Sequence, residues 1–356
     1  MELCLPEQIV PLIAGWFREN GRSLPWREGA DPYRVWISEI MLQQTRIEAV
    51  IPYYHRFLAA FPDAESLARA EDDVLMKLWE GLGYYSRARN LKKAAIVIAR
   101  DYGGSLPPDR DRLRSLPGIG DYTAGAIASV AFGLPEPAVD GNVLRVVSRL
   151  AAYDGDVTQP ATKNEVTRAQ REIYPAGADA ARFTEGLMEL GEVVCVPNAR
   201  PRCEACPVRS ICRASIAGTT ELYPVRSPKK ERRREDVTVL LIRAPDGGIL
   251  LRRRPSDAGL LAGLWEYPTL PGRLDEAAIR AAVGERLGGA AVTEVRPAGE
   301  KKHIFTHIEW RMTGVFVTLG ASPSALPDGW AAPQYDELTA RYALPTAFRK
   351  FSGLLA

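Results

Sequence analysis

Four cysteines, Cys195, Cys203, Cys206 and Cys212, fall within eighteen residues in the pattern C-x7-C-x2-C-x5-C. Thiolates this close together can surround one iron–sulfur cube or one zinc ion, since both need soft donors converging on a small volume. Zinc more often takes two well-separated CxxC pairs, whereas this run is compact and asymmetric. Only Cys4 is left over. Such clustering points to a metal or cluster in a reducing compartment rather than to disulfides.

A second constellation is LPGIGDYTAG, where backbone N–H groups around Gly118 and Gly120 can approach a phosphate closely. Twenty residues after Gly120 stands Asp140, followed by the turn-formers Gly141 and Asn142 at the opening of a helix. A carboxylate beside helix N-terminal N–H groups is expected to stay ionised. Taken singly, the hairpin reads as a connector and Asp140 as a plain N-cap. A third residue is Glu39, set among Trp36, Ile37, Ile40, Met41 and Leu42. Partial desolvation there should raise its pKa above about 4.3 and let it hold a proton, as a general acid must. A lone glutamate on an amphipathic helix is more often a solvated face.

The elements that must position these groups divide the chain. Residues 1–218 carry helical spacing with short Gly and Pro punctuation and read as an all-α domain, with the cysteine loop spanning 195–212. One helix opens at Asp31-Pro32 and runs towards Thr45; others fit 66–80, 86–101, 109–115, 122–133, 142–151, 162–174 and 179–193. Residues 219–235 hold two prolines and a basic run without apolar periodicity, the composition of a solvated connector. Residues 236–356 read as α+β: VTVLLIR and ILLRRRP form a predicted hairpin across a DGG turn, DEAAIRAAVGERLGG a helix, and HIFTHIEWRMTGVFVTL a long strand.

A chain of 356 residues suits two domains of ordinary size, and 46% hydrophobic with 25% charged residues excludes disordered, collagen-like and coiled-coil classes. The 46 basic residues nearly balance 44 acidic ones, but they concentrate in the cysteine loop, at 226–234 and at Arg252–Arg254, the distribution expected of nucleic-acid-facing segments. The start, MELCLPEQIVPLIAGWF, is interrupted by prolines and a glutamate and does not read as a signal peptide. No apolar run approaches the roughly 20 residues that span a bilayer, so no membrane association and a cytoplasmic location are expected.

The LPGIG hairpin followed by Asp140 resembles the helix-hairpin-helix DNA glycosylase superfamily. The strings LPWR, VWISEIMLQQTR, VIPYY, GLGYYSRARNL, LPGIGDYTAGAIASVAFG and AVDGNVLRV, in that order, resemble adenine DNA glycosylases of the MutY type nearly end to end. The resemblance implies a multidomain protein: a six-helix hairpin-helix module with a [4Fe–4S] module, then a Nudix-like (MutT-like) domain that recognises 8-oxoguanine. The family's first cysteine gap is more often six residues than the seven found here.

The resemblance further implies that Glu39 protonates adenine and Asp140 supports the oxocarbenium sugar, with Tyr122 and Asn142 around that pair. Members that also cut the strand carry a lysine where this chain has Tyr122, and a phenol cannot form their Schiff base. Trp26, Arg27 and Glu185 fall where the family lines its adenine pocket, and Gln44 and Tyr84 where it wedges the duplex, while Tyr85 reads as core. Gly118 and Gly120 match the phosphate contacts. Phe305-Thr306-His307 matches a Phe-Ser-His tip that reads the opposite base, with threonine replacing serine; His303 reads as an ordinary strand histidine. AAIRAAVGERLGG lacks the paired glutamates of a working Nudix helix, so nucleotide hydrolysis is not expected.

The implied partner is double-stranded DNA containing A:8-oxoguanine or A:G, met by a monomer in the nucleoid, with a monovalent or divalent cation at the hairpin. Two other readings are a thymine–guanine mismatch glycosylase, which should lack Glu39 and the C-terminal domain, and a catalytically silent lesion-binding protein, which should lack a carboxylate.

Overall fold

The computed structural model describes residues 3–197, 199–228, 231–255, 257–323 and 325–356. Asn198 of the cysteine loop, Lys229 and Lys230 of the expected connector, and Ser256 lie outside them. The chain forms two compact units, Met1–Arg69 with Arg89–Pro228, and Ala70–Ala88 with Lys229–Ala356.

The first unit is helical: α1 (Ile9–Asn20), α2 (Pro32–Leu42), α3 (Ile47–Ala60) and α4 (Ala64–Ala68) precede the excursion that carries α5 (Asp72–Leu78). Then come α6 (Ser86–Asp101), α7 (Arg110–Ser115), α8 (Asp121–Phe132), α9 (Gly141–Ala151), α10 (Pro160–Arg171), α11 (Ala178–Val193) and the short α12 (Arg213–Ile216). Asp31 caps α2 as expected, its carboxylate accepting from Arg34 N–H at 2.8 Å, with Pro32 in the first turn. Helices α1 and α3 lie outside the predicted set, and each carries a proline. Pro11 sits in the first turn of α1, where no intrahelical acceptor exists, so it costs little; Pro52 is carried inside α3. The predicted helix 66–80 is two, α4 and α5, since Glu71 turns extended and begins a new helix. A core of Ile9, Ile13, Val143, Val147, Phe183, Leu187 and Leu190 joins α1, α9 and α11.

The second unit holds strands β1 (Arg233–Arg243), β2 (Leu251–Arg253), β3 (Trp265–Glu266), β4 (Thr269–Pro271), β5 (Val292–Ile304), β6 (Ile308–Leu319) and β7 (Trp330–Ala331). Helices α13 (Glu276–Arg286), α14 (Tyr335–Arg341) and α15 (Thr346–Ser352) complete it. One sheet has the order β4-β1-β6-β5 and the other β3-β2-β7. β1 starts at Arg233, ahead of residue 236. The predicted hairpin of VTVLLIR with ILLRRRP reduces to one bridge, Arg243 to Ile249. β1 is instead zipped in parallel to β6 over eleven residues, and β2 turns away to pair with β3 and β7. The predicted strand from His303 is a hairpin: Phe305 N–H donates to Ile308 C=O at 2.8 Å, turning the chain at Phe305–His307 between β5 and β6.

Candidate active site

A cavity of about 520 Å³ in the first unit is lined by Trp26, Arg27, Glu39, Gln44, Tyr122, Asp140, Asn142 and Glu185. Eight residues far apart in sequence thus share one site. Glu39 comes from the buried flank of α2, with Trp36, Ile37 and Met41 fully enclosed beside it. The Tyr122 hydroxyl, from the first turn of α8, donates to Glu39 Oε2 at 2.7 Å and touches Met188 Sδ at 3.7 Å. Burial pushes the Glu39 carboxyl up to about 7; the Tyr122 hydrogen bond opposes it, and the neighbouring Asp140 and Glu185 charges add to it. The bland surface reading of Glu39 is therefore excluded by its 9% exposure.

Asp140 caps α9, Oδ1 accepting from Val143 N–H at 2.7 Å while Oδ2 accepts from Asn142 Nδ2 at 3.1 Å. Its carboxyl is raised, not lowered: burial is the largest influence and outweighs the helix N–H groups and Arg145. The sequence-based expectation of a plainly ionised carboxylate took account of the cap and not of the enclosure. Asn142 passes the chain of bonds inward, its Oδ1 accepting from Arg145 Nη2 at 2.8 Å. Gly191 on α11 permits this packing, since a Cβ there would meet Asn142 Cβ at 2.7 Å.

Arg27 donates to Glu185 Oε1 and to Glu189 Oε2, both at 3.0 Å, and Trp26 packs edge-on against Tyr54 at 5.4 Å. Glu189 escaped the sequence reading. It is 1% exposed and also holds Arg22, and these two arginines outweigh the burial and keep its carboxyl below the usual range. Its spacing of one helical turn from Glu185 was the available signal. Gln44 is exposed at the cavity in a left-handed conformation, φ +59°.

In the hairpin, Gly118 has φ +79°, and a Cβ would lie 2.6 Å from Asn90 Cβ, so the protein itself requires glycine. Gly120 caps α8 at φ −93° with open space around its α-carbon; there the protein tolerates a side chain and leaves the approach clear.

The four clustered cysteines line one small apolar cavity with Arg149. Cys212 is buried and the other three half-buried. Among the described residues no group of three or more His, Cys, Asp or Glu is arranged to hold a single metal ion. Arg145 and Arg149, each 4% exposed, are the residues that sequence reasoning missed here. Arg145 Nε donates to Cys195 C=O at 2.7 Å, and Arg149 Nη1 to Cys195 Sγ at 3.3 Å and Val196 C=O at 3.0 Å. Arg149 Nε also reaches the carbonyls of Thr220 and Tyr223. Two arginines one turn apart in the apolar helix NVLRVVSRL were the sequence signal.

In the second unit, Tyr84 is 45% exposed at φ +46°, and its hydroxyl lies 2.9 Å from Thr306 Oγ1. Tyr85, 5% exposed, is core as expected. Thr306 and His307 are exposed at the β5–β6 turn, whereas Phe305 is half-buried, edge-on to Trp310 at 5.0 Å and to His303 at 4.5 Å. Burial lowers the His303 pKa, in keeping with a packed strand histidine. Among the described residues no helix is long and apolar enough to cross a membrane.

Residues 37–175 match the family model of the HhH-GPD superfamily base excision DNA repair protein, and residues 238–353 match that of the NUDIX domain. The adenine DNA glycosylase of Homo sapiens is 32% identical over 404 aligned residues, covering 96% of this chain and 73% of that protein. A solved thermostable thymine-DNA glycosylase shares 29% identity at a TM-score of 0.53, over 59% of this chain and 97% of its own. A non-covalent endonuclease III–DNA complex shares 25% at 0.50, over 60% of this chain and 98% of that one.

Proposed function

This chain belongs to the adenine DNA glycosylases, hydrolytic DNA N-glycosylases of base excision repair, and we propose that it acts on adenine opposite 8-oxoguanine or guanine in duplex DNA. The observation that carries this reading is a buried carboxyl, Glu39, with its pKa near 7, bonded to Tyr122 and facing Asp140 in one cavity. A flipped adenine enters that cavity. Glu39 gives its proton to adenine N7 as the C1′–N9 bond breaks, and the bonding pair leaves with the base. Asp140 supports the positive charge left on the sugar, and a water adds at C1′, its proton returning to a carboxylate. The division of labour is that of paired carboxyls in glycoside hydrolysis. Tyr122 offers no amine for a Schiff base, so strand cleavage does not follow. Trp26 and the Arg27–Glu185 pair border the base, and Gln44 and Tyr84 replace the stacking and pairing it loses.

Cys195, Cys203, Cys206 and Cys212 would hold a [4Fe–4S] cluster. Four thiols lining one small apolar cavity supply the soft donors that such a cluster takes. When bound, the cluster supplies a rigid cross-link to the loop that carries Arg200, Arg202 and Arg209. Those arginines are the DNA-phosphate contacts that such a loop would order. About four irons per chain with visible absorption would support it, and a colourless zinc protein would overturn it.

Phe305, Thr306 and His307 read the base opposite adenine, in a monomer working on DNA in the cytoplasm, and the hairpin would hold a monovalent or divalent cation. The test is single-turnover base release across A:8-oxoguanine, A:G and T:G duplexes. Adenine released from the first two without strand cleavage is the expected result; thymine release, or none, overturns the reading.

A further inference from the structure

Residues 70–88 lie in sequence within the helical domain, yet they are part of the compact unit formed with residues 229–356. This segment consists of α5 and the loop bearing Tyr84, and its polar bonds explain the grouping. Glu80 Oε1 accepts from Leu344 N–H at 2.8 Å, while Oε2 accepts from Lys77 Nζ at 2.8 Å. Lys77 Nζ also donates to Tyr342 C=O at 3.2 Å. Leu344 is 2% exposed, so its N–H is a buried donor whose partner is this carboxylate. A second arm runs from Asp73, which accepts from Arg253 Nη2 at 3.0 Å, over Trp265 under that guanidinium, to Tyr342 edge-on at 5.0 Å.

The loop between these anchors and Tyr84 is stiff. Trp79 Nε1 donates to Gly83 C=O at 3.1 Å, and Arg87 Nη2 to the carbonyls of Leu82 and Gly83 at 3.0 and 3.1 Å. Only three residues separate Glu80 from Tyr84, whose hydroxyl meets Thr306. Tyr84 holds a left-handed conformation that costs a non-glycine residue energy and persists only when its surroundings fix it.

We propose that Lys77 and Glu80 form a clamp which fastens the Tyr84 loop to the Nudix-like fold, so that the clamp sets discrimination between bases opposite adenine. Neither residue touches DNA in this scheme; both are positioning residues acting through Tyr84. The inference rests on the reading of function given above. It predicts that wedge and lesion reader are aimed as one piece, and that loosening the clamp frees Tyr84 from Thr306 without altering the catalytic cavity.

The experiment is single-turnover adenine excision on A:8-oxoguanine and A:G duplexes, with each enzyme corrected for its active fraction. Glu80→Ala and Lys77→Met should each lower the 8-oxoguanine to guanine rate ratio about five-fold, and Lys77→Arg should retain it. Tyr84→Phe removes the hydroxyl at the other end; combined with Glu80→Ala it should lose little more than either alone, a non-additivity that simple destabilisation does not produce. Lys77→Met keeps the aliphatic stem and serves if Glu80→Ala fails to fold. A wild-type enzyme that releases adenine from neither duplex overturns the functional reading itself, whereas one that releases it from both without preference overturns the clamp. A preference that survives both substitutions, or fully additive losses with Tyr84→Phe, overturns the clamp.

Discussion

The Tyr122 hydroxyl donates to Glu39 Oε2 at 2.7 Å, and the bond works against the burial that surrounds it. Enclosure favours the neutral acid; a donor on the carboxylate favours the anion, and burial is the larger influence, leaving Glu39 near 7. A general acid must be protonated when it reacts, so base release should fall as pH rises through about 7. Tyr122→Phe removes the opposing bond, and the alkaline limb should then move to higher pH while the maximal rate drops about ten-fold through loss of positioning. A single-turnover pH profile checks both, and a rate that stays flat from pH 6 to 9 would falsify the assignment of Glu39 as the acid.

Glu39→Gln should abolish base release while leaving duplex binding intact, and it should also change stability with a defined sign. Because the folded pKa lies above the unfolded one, the protonated carboxyl's contribution is fully present below about 4.5 and lost as pH rises through about 7. Above that pH the wild type carries a buried charge that glutamine lacks. Thermal melts should therefore show the variant more stable at pH 8, by on the order of 3 kcal/mol at most, and nearly equal at pH 4.5. Equal melting at pH 8 contradicts the buried acid.

How far the site could be read in advance depends on what carried each signal. Glu39, Asp140, Tyr122 and the cysteines sit in motifs with fixed local spacing, and Asp31-Pro32 announces α2 through capping chemistry that acts within one turn. Glu189, Arg145 and Arg149 offered only a one-turn spacing, because their partners lie from tens to well over a hundred residues away and are brought near by the packing of α11 on α1 and α9. The two strand errors share that cause. Whether VTVLLIR pairs with the next strand or with one over sixty residues later is decided by the whole sheet. The direction of the Asp140 shift likewise required knowing what encloses it.

The Thr306 hydroxyl lies 2.9 Å from the Tyr84 hydroxyl, so the residue does two things: it faces the β5–β6 turn and holds the wedge ring. Thr306→Ala should reduce the preference for A:8-oxoguanine over A:G roughly ten-fold, the scale of one lost hydrogen bond to a polar partner. Thr306→Ser, keeping the hydroxyl and dropping the methyl, should preserve it. Parallel excision time courses on the two duplexes separate these cases, and equal behaviour of the alanine and serine variants would show that the hydroxyl has no part in the choice.

Arg149 supports the cysteine loop by donating to Cys195 Sγ, Val196 C=O and the carbonyls of Thr220 and Tyr223. Counting Cys195 C=O at 3.2 Å, five acceptors on two segments, Cys195–Val196 and Thr220–Tyr223, converge on one guanidinium that is 4% exposed, so removing it leaves buried acceptors without their donor. A donor to a thiolate sulfur also stabilises the negative charge that a cluster places there. Arg149→Met, of similar reach but without donors, should leave carbonyls buried and unpaired and loosen the path from Cys195 onward. Iron content per chain should fall, and the iron that remains should be stripped faster by a chelator. Lysine at the position supplies charge without the planar fork and should recover only part of the retention. The cavity holding Glu39 is bounded by other residues, so adenine release per iron-loaded molecule should fall far less than cluster retention. If iron retention matches the wild type, Arg149 is a packing residue and the loop is held by its thiolates alone.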